Sequence, residues 1–278
     1  MRAYISADIE GVAGITNSPQ LTPAGWEFQS ARKWMTGEVI AAAEALHEAG
    51  VSEVVVADGH GTGQNILIDD VPDYMRVVRS WPRPLLQMQG VEDGHYEAVV
   101  FIGHHTSSLS PDGLLSHTYH GGCYRDIRIN GESNSETGFN AMLAAHYGIK
   151  TIFSSGDESY IEHVKALNSD IETFVTKKTY GLAAINTLKP AVAQKQIKEG
   201  VARAFARRDE ISLLDLPAEF RVELEFKNRI QADMWNYLPW VERTGPASIG
   251  ATLKDMEQVM KLISFGMFYQ PKDRPQLA

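Results

Sequence analysis

The sequence predicts an α/β protein, with a mostly parallel sheet sandwiched by helices and a smaller α+β domain at the C-terminal end. Three observations lead to this expectation. Short apolar runs that end in polar residues recur through residues 1–160, helix-forming stretches lie between them, and past about Thr187 the texture changes to a charged helix and an alternating strand. At 278 residues the chain exceeds the roughly 100–200 typical of one domain. The expected division is an α/β domain over residues 1–187 and a smaller α+β domain over residues 188–278.

Residues 3–7 form an apolar run ending at Asp8, and residues 53–57 (EVVVA) form another ending at Asp58; both have the character of buried strands. Between them, Thr22 and Pro23 signal a helix start, the stretch to Ala49 is rich in Ala, Glu and Leu, and Gly50 stands where a helix end takes a glycine. A strand follows over residues 75–78, and another over residues 98–102 (AVVFI), leading into Gly103-His104-His105. A polar, glycine-rich loop carries His117, His120 and Cys123. Residues 127–130 suit a strand, residues 137–147 a helix capped by Gly148, and residues 151–154 a strand running into Gly156-Asp157-Glu158. The C-terminal region offers a helix from Pro190 to Arg208, a strand over residues 220–226, a Trp-rich segment, a strand over residues 247–253 and an amphipathic helix from Asp255 to Phe268.

Composition excludes several function classes. A net charge of −9 with no long basic run disfavours nucleic acid, whose binding relies on Lys and Arg neutralising phosphates. The opening MRAYISADIEG reaches carboxylates by its eighth residue, unlike the apolar core of a secretory signal, and no window approaches the ~20 apolar residues of a membrane span. The expected compartment is the cytoplasm, with no membrane partner. Cys123, the one cysteine, offers neither an internal disulfide nor a metal knuckle, and a lone thiol without a diagnostic motif is more often a small buried residue than a nucleophile.

Six of the nine histidines fall between residues 60 and 120, a bunching that suggests a site. In open α/β sheets ligands bind beyond the carboxyl ends of the strands, where this chain carries Asp8-Ile9-Glu10, Asp58-Gly59-His60 and His104-His105, with Glu136 at a helix start. Carboxylates and imidazoles together suit zinc or a related divalent ion. Asp8, two residues before Glu10, is the candidate to bridge two ions. Singly, Asp8 or Asp58 reads more naturally as a helix cap or turn former. The Gly59 to Gly63 loop resembles a phosphate cradle but has Ile66 in place of the third glycine of a dinucleotide fingerprint. His47, His146 and His163 fall on helical stretches and read as surface or packing residues.

Taken together these residues resemble the DppA-type D-aminopeptidase family, a group of dinuclear zinc peptidases. The resemblance rests on SADIEG, Asp58-Gly59-His60, Gly103-His104-His105, Ser116-His117 and Glu136-x-Gly138-x-Asn140-Ala141, and extends to about residue 268 through Trp235 and Lys254-Asp255-Met256. It implies Asp8, Glu10, His60, His105 and Glu136 as ligands of two Zn2+ ions per chain, with Mn2+ or Co2+ as substitutes, and His117 as the catalytic residue, either general base or nucleophile. His104 stands where the family commonly has tyrosine and is the alternate ligand to His105. Glu132 is the rival of Glu136, and Asp58 is expected to orient His60. The resemblance further implies release of an N-terminal residue, such as D-Ala, from short peptides or amides, and a ring-like homo-oligomer such as a decamer. Trp235, Trp240 and Phe265 are candidates for its contacts. The resemblance makes residues 1–187 the metal-binding catalytic domain and residues 188–278 a domain helping oligomerisation or substrate binding. The rival readings are a metallohydrolase of other specificity (an L-aminopeptidase, amidase or phosphatase) and a non-catalytic peptide- or nucleotide-binding module.

Overall fold

The structure, a computed structural model, describes residues 1–269 and 271. The strands are β1 (Arg2–Ala7), β2 (Glu53–Asp58), β3 (Met75–Val78), β4 (Val99–His104), β5 (Tyr124–Ile129), β6 (Glu132–Ser133), β7 (Thr151–Asp157), β8 (Glu172–Thr179), β9 (Ile185–Thr187), β10 (Phe220–Phe226), β11 (Glu242–Arg243) and β12 (Ser248–Leu253). The helices are α1 (Phe28–Glu48), α2 (Glu136–His146), α3 (Glu158–Leu167), α4 (Pro190–Ala206), α5 (Arg229–Trp235) and α6 (Met256–Phe268).

Seven strands make one sheet in the order β3-β2-β1-β4-β7-β8-β9, parallel throughout except for the antiparallel edge strand β9. A second, antiparallel sheet runs β11-β12-β10-β5-β6. The expected α/β class with a mostly parallel sheet is what forms. Strands β5 and β6 lie before residue 187 in the chain and β10 to β12 after it, so the second sheet joins early and late segments.

Side-chain alternation along the central strands distributes them between two cores. Ala3 and Ile5, Val54 and Val56, and Val100 and Ile102 pack with Met35, Val39, Ile197 and Val201 of α1 and α4. Tyr4, Val55, Val99 and Phe101 face the other way, onto Phe139 of α2, Val259 and Ile263 of α6, and Val222 and Leu224 of the second sheet. Burial on both faces explains why these strands read as continuous apolar runs.

The first helix begins later than Thr22 and Pro23 suggest. Gly25 donates its backbone N–H to Thr22 (2.8 Å) and Phe28 donates to Gly25 (3.3 Å), so the chain turns before it coils. At the other end Gly50 takes φ +96°, a conformation that favours glycine and terminates the helix. Helix α2 is capped by Ser135, whose hydroxyl accepts the Gly138 N–H at 3.1 Å. Among the described residues no helix is long and apolar enough to cross a membrane.

Candidate metal centre

From β1 the chain proceeds outward to β2 and β3, then returns to place β4 on the opposite flank of β1. That reversal creates a crevice at the carboxyl ends of β1 and β4, the usual ligand position in such sheets. Asp8 and Glu10 leave β1 there, His60 follows β2, His105 follows β4, and Glu136 opens α2 with its carboxylate in the first turn. The loops after β1 and β4 meet closely. Gly11 donates to the Gly103 carbonyl at 2.7 Å, and a Cβ on Gly11 would collide with the His104 carbonyl, so only glycine fits.

Five predicted ligand residues come together in two groups that share one carboxylate. Asp8, Glu10 and His60 form one, and Asp8, His105 and Glu136 the other, with ligand atoms within 4.8 Å of one another in each. Asp8 Oδ1 lies 3.4 Å from His60 Nδ1, while Asp8 Oδ2 lies 3.6 Å from His105 Nε2. Glu10 stands 3.1 Å from His60 Nδ1, and Glu136 Oε1 stands 3.5 Å from His105 Nε2. A third group, Glu10, His105 and His117, overlaps both.

The histidines are held in orientations that suit ligation. A backbone carbonyl only accepts, so His60 Nε2 donates to the Leu21 carbonyl (2.9 Å) and turns Nδ1 toward Asp8 and Glu10, the latter at 3.1 Å. His105 Nδ1 likewise donates to the Thr106 carbonyl (2.8 Å), which turns Nε2 inward. That Nε2 is buried and makes no hydrogen bond. His-to-carbonyl bonds of this kind orient metal-bound imidazoles, so the donor set and its supports both fit a divalent cation.

The electrostatics point the same way. Asp8, Glu10 and Glu136 are each only 2% exposed, and packing three carboxylates into one dry pocket calls for compensating positive charge. Burial pushes Glu136 above the ordinary carboxylate range. It also pushes on Asp8, but the hydrogen bond to His60 and the charge of His105 outweigh it and hold Asp8 well below that range. Burial disfavours the charged imidazoles too, yet Glu10 draws His60 well above its usual value and Glu136 draws His105 up to about 9, so the inward nitrogens carry protons that a bound cation would displace.

His117 lies at the rim, with its side chain 28% exposed and its ring stacked on His105 at 4.2 Å between centroids. Its Nδ1 donates to the Leu115 carbonyl (2.9 Å), and its Nε2 stands 3.9 Å from Glu136 Oε1. His104, the last residue of β4, belongs to none of the three donor groups. Its Nε2 contacts the Ser6 carbonyl at 3.2 Å, its ring lies near those of Phe101 and Tyr160, and burial drives its pKa down to about 4. Glu132 is exposed on β6, away from these groups. Asp58 reaches His60 indirectly: Asn65 Nδ2 donates both to Asp58 Oδ1 (2.8 Å) and to the His60 carbonyl (2.6 Å), which shapes the loop after β2.

Two residues of the site went unforeseen. Gln87, in the 3-10 turn Leu86–Met88, donates from Nε2 to Asp8 Oδ2 (3.2 Å) and to Glu136 Oε2, while its Oε1 accepts from Asn140 Nδ2 (2.7 Å). Asn140 belongs to the motif around Glu136, the only sequence signal near this network. Lys177 on β8 is fully enclosed and donates to the carbonyls of Glu10, Val12 and Ile15, pinning the loop that follows Asp8.

Comparison with known proteins agrees with this geometry. A D-aminopeptidase of Bacillus subtilis (strain 168) is 26% identical over 257 residues, spanning 92% of this chain and 93% of the relative. A solved structure described as the Zn-dependent D-aminopeptidase DppA from Bacillus subtilis, a self-compartmentalizing protease, superposes with a TM-score of 0.89. It covers 98% of this chain and 100% of that one at 24% identity, and at that identity the likeness concerns the fold. The sequence profile of a family described as D-aminopeptidase matches residues 1–265, nearly the whole chain, and on that match the protein belongs to the D-aminopeptidase family.

Proposed function

We propose that this chain is a metallo-aminopeptidase that releases the N-terminal residue, a D-amino acid such as D-Ala, from short peptides or amides. Two zinc ions per chain are assigned to Asp8, Glu10, His60, His105 and Glu136, with Asp8 as the bridge. The observation that carries this reading is the Asp8 carboxylate, whose two oxygens face two different histidines, each inside its own donor group. The zinc dependence of the similar solved structure supports the choice of metal. Ions bound there would polarise the scissile carbonyl and bring the pKa of water from ~15.7 toward ~7.

The protein's own groups supply the rest. His117 keeps its Nδ1 proton on the Leu115 carbonyl, so Nε2 presents a lone pair that can take a proton from the attacking group and return it to the departing amine. Gln87 restrains Asp8 and Glu136, and Lys177 restrains the backbone of Glu10, so the carboxylates meet the substrate preorganised. The acidic pocket favours the ammonium group at a peptide's amino terminus.

We assign the chemistry to residues 1–187, and substrate binding or assembly to residues 188–278. The relative's self-compartmentalizing character and the exposed Trp240 and Phe265, both packed beside Trp235, support a homo-oligomer; we propose that it is a ring-like decamer of ten 30.8 kDa chains. The activity is tested by hydrolysis of D-Ala-D-Ala and L-Ala-L-Ala before chelation, after it, and after zinc is restored. Chelator-sensitive cleavage of the D-peptide supports the reading; cleavage of the L-peptide alone, or cleavage indifferent to chelation, overturns it.

A further inference from the structure

The metal pocket, about 200 Å³ in volume, opens into a second recess of about 470 Å³. The two share Gly59, Gly61, Gln87, Tyr119 and His120, and the outer walls of the second are Trp81, Met267 and Phe268. Among the described residues lining this recess there is no carboxylate, lysine or arginine. An acidic pole therefore adjoins a chamber without carboxylate, lysine or arginine whose size falls in the range of ligand pockets, about 300–1,000 Å³.

The chamber wall is built to stay in place. Trp81 Nε1 donates to the Gly61 carbonyl at 2.9 Å, one residue beyond His60. Its ring lies beneath the Arg83 guanidinium, whose central carbon is 4.2 Å from the ring centroid. Arg83 is itself buried and donates to the Asp58 carbonyl at 2.8 Å, so the indole is tied to the same loop that carries His60. Phe268, at the end of α6, faces it with ring centroids 6.4 Å apart and a 46° tilt, and is 47% exposed. An apolar side chain packed against these rings would bury aromatic surface that is otherwise wet.

We propose that this recess is a substrate subsite for a large apolar side chain next to the scissile bond, so that the substrate class is D-residue peptides bearing an aromatic or branched aliphatic group there. This rests on the aminopeptidase reading above. Alanine's methyl is about as large as one water, whose share of liquid volume is ~30 Å³, and leaves such a chamber almost unfilled. A phenylalanine or leucine side chain that becomes buried gains enough to raise specificity by about tenfold to a hundredfold.

The test compares kcat/KM for D-Ala-D-Ala, D-Phe-D-Ala and D-Ala-D-Phe on the metal-loaded wild type, Trp81→Ala and Phe268→Ala. Should none of them be cleaved, calorimetry measures binding of the same three peptides. One of the Phe peptides should exceed D-Ala-D-Ala by about tenfold or more, its position telling which side of the bond the recess serves, and both variants should bring that ratio toward one. Phe268 ends a helix and is half exposed, so its variant keeps the comparison open if Trp81→Ala does not fold. Cleavage of all three peptides at similar rates, or ratios unmoved in Phe268→Ala, overturns the subsite. If no peptide is cleaved, the aminopeptidase reading fails by itself. Calorimetry then decides the subsite: about tenfold tighter binding of one of the Phe peptides than of D-Ala-D-Ala, lost in Phe268→Ala, sustains it, and equal binding of all three peptides overturns it.

Discussion

Replacing Gln87 with leucine tests whether the metal carboxylates are held by their surroundings. The change is close to isosteric and introduces no charge, but it removes the amide hydrogens bound to Asp8 Oδ2 and Glu136 Oε2 and the oxygen that accepts from Asn140. Hydrogen bonds to charged groups contribute ~1.5–3 kcal/mol each, and a buried donor left unpaired costs ~1–3 kcal/mol. Asn140 is fully buried, so its amide has no route to water. Part of this loss falls on folding and part on metal binding, where removal of a group that orients ligands typically costs about 10–100-fold in affinity. Zinc affinity measured by competition with a chromophoric chelator should therefore fall by about 10–100-fold in Gln87→Leu. Asn140→Leu, which leaves the Gln87 amide hydrogens in place, should lose about tenfold or less. Wild-type affinity in Gln87→Leu, together with wild-type activity, would refute the idea that this side chain organises the site.

Three further outcomes follow from the same structure. His117→Ala should keep its metal content while turnover falls by about 10²–10⁴, as for loss of a proton-transfer group, and full turnover would remove His117 from the chemistry. Lys177→Met strands the carbonyls of Glu10, Val12 and Ile15, so urea unfolding should show a loss of about 3 kcal/mol or more, with weaker metal binding; unchanged values for both would dismiss the clamp. Burial raises Glu38 from 4.5 to about 7, so the stability of its protonated form is present below pH 4.5 and lost as pH rises through about 7, a span of about 3 kcal/mol. Glu38→Gln should flatten the stability-pH curve by that amount relative to wild type, and parallel curves would contradict the assignment.

Asp8, Glu10, His60, His105 and Glu136 were legible as candidates because they obey a local rule: each stands just beyond an apolar run or at a helix start, whereas His117 lies in a polar loop and was singled out by the resemblance alone. The choice between His104 and His105 needed the fold, since only in three dimensions does the His104 ring settle against Phe101 and Tyr160 while His105 turns toward Asp8. Gln87 carried no local pattern at all. Its partners lie 79, 49 and 53 residues away in the chain, and only folding joins them. Lys177 was concealed by its residue type, because lysine is almost never fully buried and the run ETFVTKKT suggests an exposed strand. The parallel sheet was foreseeable from its alternating elements, whereas the pairing of β5 with β10 spans nearly a hundred residues and leaves no trace in either segment. The late start of α1 reflects turn hydrogen bonds around Gly25 that Thr22 and Pro23 do not announce.

The proposed bridging role of Asp8 is tested most directly by metal stoichiometry, measured by elemental mass spectrometry on protein purified without chelator and dialysed against zinc. Two ions per chain are expected in the wild type and at most one in Asp8→Ala, because both donor groups lose their common carboxylate. One ion in the wild type, or two retained in Asp8→Ala, would contradict the bridged site.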